Sequence, residues 1–155
     1  MKIIFLDIDG VLNSAAYDRQ RDWTKRTYID KTRLPLIKQI VDATGAEIVL
    51  SSTWRVHWHS SSELCDEEGN YINECFAEYG LAIYDKTPNL GYFSDRGEEI
   101  REWLLEQENI DGYVIIDDYN YNWGNMQSHF VKTNMYIGRG LEECHVCQAI
   151  EILER

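Results

Sequence analysis

The sequence predicts an α/β fold of three layers, in which helices cover both faces of a parallel sheet of about five strands. Short apolar segments with strand-like composition alternate along the chain with segments in which apolar residues recur at helical spacing. The first strand candidates are continuous apolar runs, which is typical of parallel strands buried on both faces. Parallel neighbours need long crossover connections, and helices between the strands would supply them.

Two strands and one helix are predicted in the first third of the chain. Residues 2–8, KIIFLDI, form a short β-rich run that is closed by Asp-Gly, and residues 46–52, AEIVLSS, form a second run. Between them Pro35 falls in the first turn of a helix pattern, and Gly45 stands where the helix would be capped. The apolar stripe of this helix consists of Leu34, Ile37, Ile40 and Val41.

The middle of the chain has a weaker pattern. Residues 61–80 are helical in tendency, with a break expected near Gly69 and Asn70, and residues 81–87 are a candidate third strand. Asp95 and Glu98 have the spacing of a capping box. The helix that follows would bury Ile100, Trp103 and Leu104.

One more strand pair and a helix complete the pattern. Residues 112–118, GYVIIDD, predict a strand that ends in two acids, and residues 129–134, HFVKTN, predict a fifth strand. A terminal helix is indicated by apolar residues at helical spacing, namely Val146, Ala149, Ile150 and Leu153.

Length and composition indicate one domain that spans residues 1–155. No segment approaches the roughly 18 apolar residues of a membrane span. The N-terminal apolar run contains two acids, Asp7 and Asp9, which argues against a secretory signal. We therefore expect a soluble, cytoplasmic protein without membrane contact; the sequence does not indicate its oligomeric state.

The net charge of −12 argues against broad, nonspecific binding to nucleic acid or anionic lipid. Residues 14–38 are an exception, because seven basic and three acidic side chains give this stretch a charge of +4. It is either a local basic surface or a solvated loop and helix face.

The four cysteines predict no disulfide framework. Cys144 and Cys147 form a C-x-x-C, but the second ligand pair of a zinc site is missing. Both fall on the terminal helix pattern, where cysteine often serves as a small apolar residue.

Polar side chains stand at the ends of three predicted strands: Asp7 at the first, Ser51 at the second, and Asp117 and Asp118 at the fourth. Ligands of open α/β sheets bind beyond the carboxyl ends of the strands, so we expect these side chains to converge. Two carboxylates 4 Å apart repel by about 4 kcal/mol at an effective dielectric constant of about 20, so a cation is required. Carboxylate oxygens favour Mg²⁺, which usually bridges to a substrate phosphate.

Two acids at one strand end predict two different catalytic roles. One carboxylate would attack phosphorus to form an aspartyl-phosphate, and the other would protonate the leaving oxygen and later activate water. Asp7 suits the first role and Asp9 the second. Ser51 could bind a nonbridging phosphoryl oxygen, and a cation is still needed to balance the charge of the transition state.

The order of these motifs resembles the haloacid dehalogenase (HAD) superfamily of phosphotransferases. D-x-D-G-V-L follows the first strand, V-L-S the second and D-D the fourth, over a region from Phe5 to Asp118. The resemblance implies a Rossmann-like, HAD-like domain with Asp7 as nucleophile and Asp9 as acid/base. It also implies that Mg²⁺ is held by Asp7, by Asp118 and by the main-chain carbonyl of Asp9, with Asp117 close by. The hydroxyl of Ser51, or alternatively that of Ser52, would bind the phosphate.

Three segments are more narrowly similar to the small HAD domains of bacterial and phage RNA-repair proteins. They are S-S-T-W-R at 51–55, R-G-E-E-I at 96–100 and V-I-I-D-D at 114–118. This resemblance implies a nucleic-acid terminal phosphate as a substrate, beside phosphorylated small molecules. Asn13, Trp54 and Arg55 are then expected to contact the substrate.

Two positions depart from the superfamily pattern. Its phosphate-binding lysine has no obvious counterpart; Arg96, which opens a predicted helix, is the first candidate and Lys86 the second. Asn122 stands where a further acid often occurs.

The predicted connections leave room for a minimal cap or none, so the site should be open. An open site also suits the alternative of a catalytically weak or silent module that binds phosphate or Mg²⁺ for regulation. A receiver domain is disfavoured, because Ser51 ends the second strand and a second acidic pair occurs late in the chain.

Overall fold

A five-stranded, wholly parallel sheet forms the centre of the molecule in a computed structural model that describes residues 1–155. Its strand order is β3-β2-β1-β4-β5, so the first strand lies in the middle. The strands are β1 (Lys2–Leu6), β2 (Glu47–Leu50), β3 (Ile83–Lys86), β4 (Gly112–Asp117) and β5 (Phe130–Lys132).

Five helices connect or follow the strands. They are α1 (Ala15–Asp18), α2 (Leu34–Thr44), α3 (Glu67–Ala77), α4 (Arg96–Leu105) and α5 (Glu143–Leu153). Short 3₁₀ turns cover Lys31–Arg33, Thr53–His57, Ser62–Leu64 and Gly124–His129. None of the helices combines the length and the apolar character that crossing a lipid bilayer requires.

The two faces of the sheet are covered by different helices. Ile4 and Leu6 point into a large apolar cluster that is completed by α2, α3 and α5. Their neighbours in β1 point the other way, and Phe5 packs edge-on against Trp103 of α4, with 5.3 Å between ring centroids. The predicted three-layer α/β fold with helices on both faces is thereby confirmed.

Local sequence signals set the helix ends as expected. Gly45 caps α2 in the left-handed conformation, with φ of +69°, which glycine adopts without steric cost. Asp95 and Glu98 form both hydrogen bonds of the predicted capping box at the start of α4. The predicted strands are also present, although the assigned strands are shorter than the predicted segments at one or both ends.

The predicted break near Gly69 and Asn70 is wrong, since α3 runs through both residues. Gly69 serves close packing instead. A Cβ at this position would lie 2.1 Å from the carbonyl oxygen of His57, so only glycine lets the helix lie this close to the preceding 3₁₀ turn. Asp66 accepts hydrogen bonds from the first amides of the helix and stabilises its start.

Gly69→Ala should therefore lower the free energy of unfolding by about 1–2 kcal/mol. Helix propensity favours alanine by about 1 kcal/mol, but overpacking against backbone typically costs about 1–3 kcal/mol, and this contact is too short to relax easily. Urea denaturation provides the measurement. Asn70→Ala, an exposed change in the same helix, is the control and should be neutral or slightly stabilising. A stabilised Gly69→Ala protein would contradict the packing explanation.

Candidate active site

One rim of the sheet carries a polar side chain directly after each strand or at its last position. The amides of these residues continue the parallel hydrogen-bond ladder: Asp7 donates to Ile116 (3.1 Å), Ser51 to Leu6 (2.9 Å), Thr87 to Leu50 (3.1 Å) and Thr133 to Asp117 (3.0 Å). Their backbone positions are thus fixed by the sheet. We call Asp7, Ser51, Thr87, Asp117 and Thr133 the strand-end rim.

Three carboxylates gather on this rim, as the sequence predicted for Asp7, Asp117 and Asp118. Each offers an oxygen, and the three oxygens all lie within 4.8 Å of one another. Asp7 and Asp117 are buried, whereas Asp118 is partly exposed. Arg96 is buried beside them, with Nη1 3.0 Å from Asp7 Oδ2 and 2.5 Å from Asp117 Oδ2.

Burial shapes the ionisation of this cluster. It raises the pKa of Asp7 to about 7, although the guanidinium of Arg96 opposes the shift. Burial also raises the pKa of Asp117, and it raises the pKa of Asp118 to about 6, with a further contribution from the charge of Asp117. Burial alone lowers the pKa of Arg96, but the carboxylates of Asp7 and Asp117 outweigh it, so the pKa lies above its ordinary value and Arg96 stays charged.

The donor set fits a hard divalent cation. When all three acids are ionised, three carboxylates and the one guanidinium in contact with them leave a formal charge of −2. A divalent ion would cancel this charge and relieve the repulsion. Since all the side-chain donors are oxygens, Mg²⁺ suits the cluster better than a metal that prefers nitrogen or sulfur.

Gly10 lets Asp118 approach the first strand end. Its φ is +80°, and a Cβ here would lie 2.3 Å from Asp118 Cγ. Thr133 Oγ1 donates a 2.7 Å hydrogen bond to the carbonyl of Gly10 and holds the loop from the other side. The glycine of D-x-D-G is therefore a packing requirement of the acidic cluster.

Asp9 lies outside the carboxylate cluster and is exposed. Two donors hold its side chain: Asn13 Nδ2 lies 2.9 Å from Oδ1, and Trp54 Nε1 lies 2.9 Å from Oδ2. The buried Asn13 also donates to the carbonyl of Tyr28 and accepts from the amide of Gly10, so its side chain is engaged within the protein. Asn13 and Trp54 thus orient Asp9.

Ser51 and Ser52 have different surroundings, although both are buried. Ser51 Oγ has no hydrogen-bond partner in the protein. Ser52 Oγ accepts from the amide of Trp54 and caps the 3₁₀ turn Thr53–His57. Because buried hydroxyls are normally satisfied, the unpartnered Ser51 is the better placed to bind a ligand oxygen.

The two candidates for the phosphate-binding cation also differ. Arg96 touches the acidic cluster, as described above. Lys86 Nζ donates to the carbonyls of Arg55 (3.1 Å) and Trp58 (2.6 Å) and makes no ion pair with the cluster. Lys86 therefore supports the neighbouring 3₁₀ turn, and the geometry favours Arg96.

The comparison with known families agrees with this geometry. The family model of the HAD domain in Swiss Army Knife RNA repair proteins matches residues 3–146. The chain belongs to this HAD family. No curated protein and no solved structure gives a significant match.

Arg55 of this HAD domain is buried in an ion pair. Its Nη2 lies 2.8 Å from Oε1 of the buried Glu99, and its Nη1 donates to the carbonyl of Ser52. Glu99 Oε1 also accepts from the hydroxyl of Ser94 and the amide of Leu90. The pair therefore connects the 3₁₀ turn after β2 with the loop before α4.

Sequence reasoning missed Thr87, Thr133 and Glu99. Thr87 follows β3 on the strand-end rim, next to Ser51 in register, and its buried hydroxyl also has no partner. The strand-end position was a usable signal for both threonines. Glu99 gave no such signal, because its partner Arg55 is 44 positions away.

The basic stretch 14–38 is largely neutralised in the folded HAD domain. Six of its seven basic side chains form ion pairs, and Arg19 forms none. The six are Arg21, Lys25, Arg26, Lys31, Arg33 and Lys38. The stretch is thus less basic as a surface than its composition suggests.

Glu99→Ala should lower the free energy of unfolding by about 3–5 kcal/mol, because it leaves the buried charge of Arg55 unpaired. The double variant Arg55→Met/Glu99→Leu should recover most of this loss, since it removes both charges. Glu78→Ala, which breaks an exposed pair with Lys31, is the matched control and should change stability little. Equal effects of Glu99→Ala and Glu78→Ala in urea denaturation would refute the assignment of a buried pair.

Proposed function

We propose that this HAD domain is a Mg²⁺-dependent phosphatase that hydrolyses a phosphomonoester through an aspartyl-phosphate intermediate. The observation that carries the proposal is the cluster of Asp7, Asp117 and Asp118 with Arg96 in contact. It offers a nucleophile, a cation for the phosphate and a donor set for a metal at one rim of the sheet. Membership of the HAD family supports hydrolase chemistry.

In the first step, a carboxylate oxygen of Asp7 attacks phosphorus, the bond from phosphorus to the leaving oxygen breaks, and Asp9 donates a proton to that oxygen. In the second step, Asp9 takes a proton from water, the water oxygen attacks phosphorus, and Asp7 leaves as a carboxylate with release of phosphate. Asn13 and Trp54 hold the Asp9 carboxylate for both transfers.

Charge stabilisation in this scheme comes from three sources. Arg96 and the hydroxyl of Ser51 bind nonbridging oxygens of the phosphoryl group. Mg²⁺ would be held by Asp7, Asp117 and Asp118, with the main-chain carbonyl of Asp9, and would neutralise the negative charge that phosphate brings to an acidic rim. Ser52 is the less suitable of the two hydroxyls, because it caps the 3₁₀ turn Thr53–His57.

We further propose that the phosphate is carried by a nucleic-acid end. Support comes from the family, whose members are HAD domains of RNA repair proteins. The segment between β1 and β2 consists of α1, a short turn, α2 and their connections, and we propose that residues 1–155 act as one unit with a minimal cap. A site of this kind would leave room for a polymer.

Two substitutions should separate the roles of the acids. Asp7→Asn should lower phosphate release from every substrate by at least about 10³-fold, because it removes the nucleophile. Asp9→Asn should lower release from an oligonucleotide phosphate by about 10²–10⁴-fold but affect an aryl phosphate less, because a phenolate leaves more easily without a proton. Release is measured with and without Mg²⁺.

The wild-type protein should require Mg²⁺ for release. A folded protein that binds Mg²⁺ and releases phosphate from no aryl, nucleotide, sugar or oligonucleotide phosphate would exclude the phosphatase. It would instead favour a silent module that binds phosphate or Mg²⁺ for regulation.

The two serines give a second test. Ser51→Ala should leave stability unchanged or raise it, since it removes an unsatisfied buried hydroxyl, but lower kcat by about 10²-fold or more. Ser52→Ala should lower the free energy of unfolding by about 1 kcal/mol through loss of a cap, with a smaller effect on kcat. The reverse pattern would assign the phosphate contact to Ser52.

A further inference from the structure

A groove beside the acid/base residue is lined by seven residues and has a volume of about 530 Å³. Its lining consists of Arg21, Thr24, Lys25, Arg26, Tyr28, Trp54 and Glu68, and we call it the Trp54 groove. We propose that the Trp54 groove binds the single-stranded nucleotides next to the terminal phosphate. This inference rests on the proposed function and names the path of its substrate.

The position of Asp9 determines on which side of the phosphate the leaving nucleoside lies. In the proposed reaction the leaving oxygen receives its proton from Asp9, so the nucleoside attached to that oxygen lies on the Asp9 side of the phosphate. Trp54 Nε1 is hydrogen-bonded to Asp9 Oδ2 at 2.9 Å, and the same indole forms a wall of the groove. The leaving group therefore borders the Trp54 groove.

Aromatic rings in and beside the groove suit nucleobases. Trp54 is stacked on Tyr28, with 4.2 Å between ring centroids and 9° between planes, so its ring is held rigidly. Trp23 is 66% exposed, and the guanidinium of Arg21 covers one of its faces at 3.4 Å. Stacking on such rings binds single strands without selecting a particular base.

One cation of the groove, Lys25, remains available for backbone phosphates. Glu67 and Glu68 hold Arg26 in two ion pairs. Lys25 is different, because its side chain is 75% exposed and its nearest acid, Asp22, is 3.9 Å away. Arg21 pairs with Asp18 through Nε and lies on the ring of Trp23, and its side chain is only 11% exposed.

A second groove, of about 310 Å³, is the alternative binding site for the same single-stranded nucleotides. It is lined by Arg55, Arg96, Tyr121 and the loop before α4, which also carries the almost fully exposed Tyr92 and Phe93. This groove is lined by the phosphate-binding Arg96, whereas Trp54, which holds Asp9, lines only the first of the two grooves. Its position suits the phosphoryl group better than the leaving group, so the Trp54 groove is favoured.

Binding of labelled RNA to the Asp7→Asn protein tests the assignment without turnover. The probe is a single strand of about eight nucleotides with a phosphate at either end, in the presence of Mg²⁺. In this background, Trp23→Ala should weaken binding about tenfold through lost stacking. Lys25→Ala should weaken it and reduce the slope of log Kd against log salt concentration by about 0.7.

Matched controls lie outside the Trp54 groove. Tyr92→Ala removes an exposed aromatic beside the second groove, and Lys38→Ala removes a lysine on α2; both should bind RNA like the parent protein. Loss of binding with Tyr92→Ala but not with Trp23→Ala would overturn the proposal and place the strand in the second groove. Equal affinity for the oligonucleotide and for a mononucleotide would also overturn it.

Activity measurements distinguish this inference from the proposed function. In the wild-type background, Trp23→Ala and Lys25→Ala should leave kcat/KM for an aryl phosphate unchanged and lower it about tenfold for the oligonucleotide. Equal loss on both substrates would reject a strand-binding role for these residues. If the wild-type protein released no phosphate at all, the proposed function would fail, while the RNA-binding comparison would still decide the groove.

Discussion

Parallel pairing of the strands is the constraint on which the site depends. Because all five strands run the same way, their carboxyl ends meet at one edge, and the hydrogen-bond ladder continues one residue further at Asp7, Ser51, Thr87 and Thr133. The sheet thus fixes the backbone positions of residues from four distant parts of the chain. A backbone held by the sheet favours precise placement of the groups that would bind a small phosphoryl group.

Electrostatics then limit what this rim can contain. Asp7 and Asp117 are buried close together, and their contact with Arg96 offsets part of the repulsion. A divalent cation would neutralise the remaining negative charge of the cluster, and the carboxylate oxygens are suitable ligands for it. Asp9 has a different environment, because it lies outside the cluster and is exposed to solvent. Its carboxylate accepts hydrogen bonds from the indole of Trp54 and the side-chain amide of Asn13. Two acids two positions apart therefore have different surroundings, which is what separate roles in catalysis need.

Much of the fold and the centre of the site could be predicted from sequence, because both follow from local patterns. Continuous apolar runs predicted the parallel sheet. Acids at strand ends predicted that Asp7, Asp117 and Asp118 are neighbours. The supports of the site depend on contacts between distant segments, such as Trp54 with Asp9. The misjudged Gly69 shows the same limit: its helix propensity is poor, but a tertiary contact outweighs it.

The central position of β1 has a consequence for how the chain folds. One edge of β1 pairs with β2, which follows after about 40 residues, but the other edge pairs with β4, and Lys2 is aligned with Gly112. During synthesis from the N-terminus, the apolar first strand therefore has an open edge until most of the chain has emerged. Long-range parallel pairing of this kind slows folding, and until it forms the unpaired strand edges are exposed and prone to aggregation. The cluster of Asp7, Asp117 and Asp118 forms only when β4 pairs with β1, so a chain in which β4 has not joined the sheet lacks the assembled site.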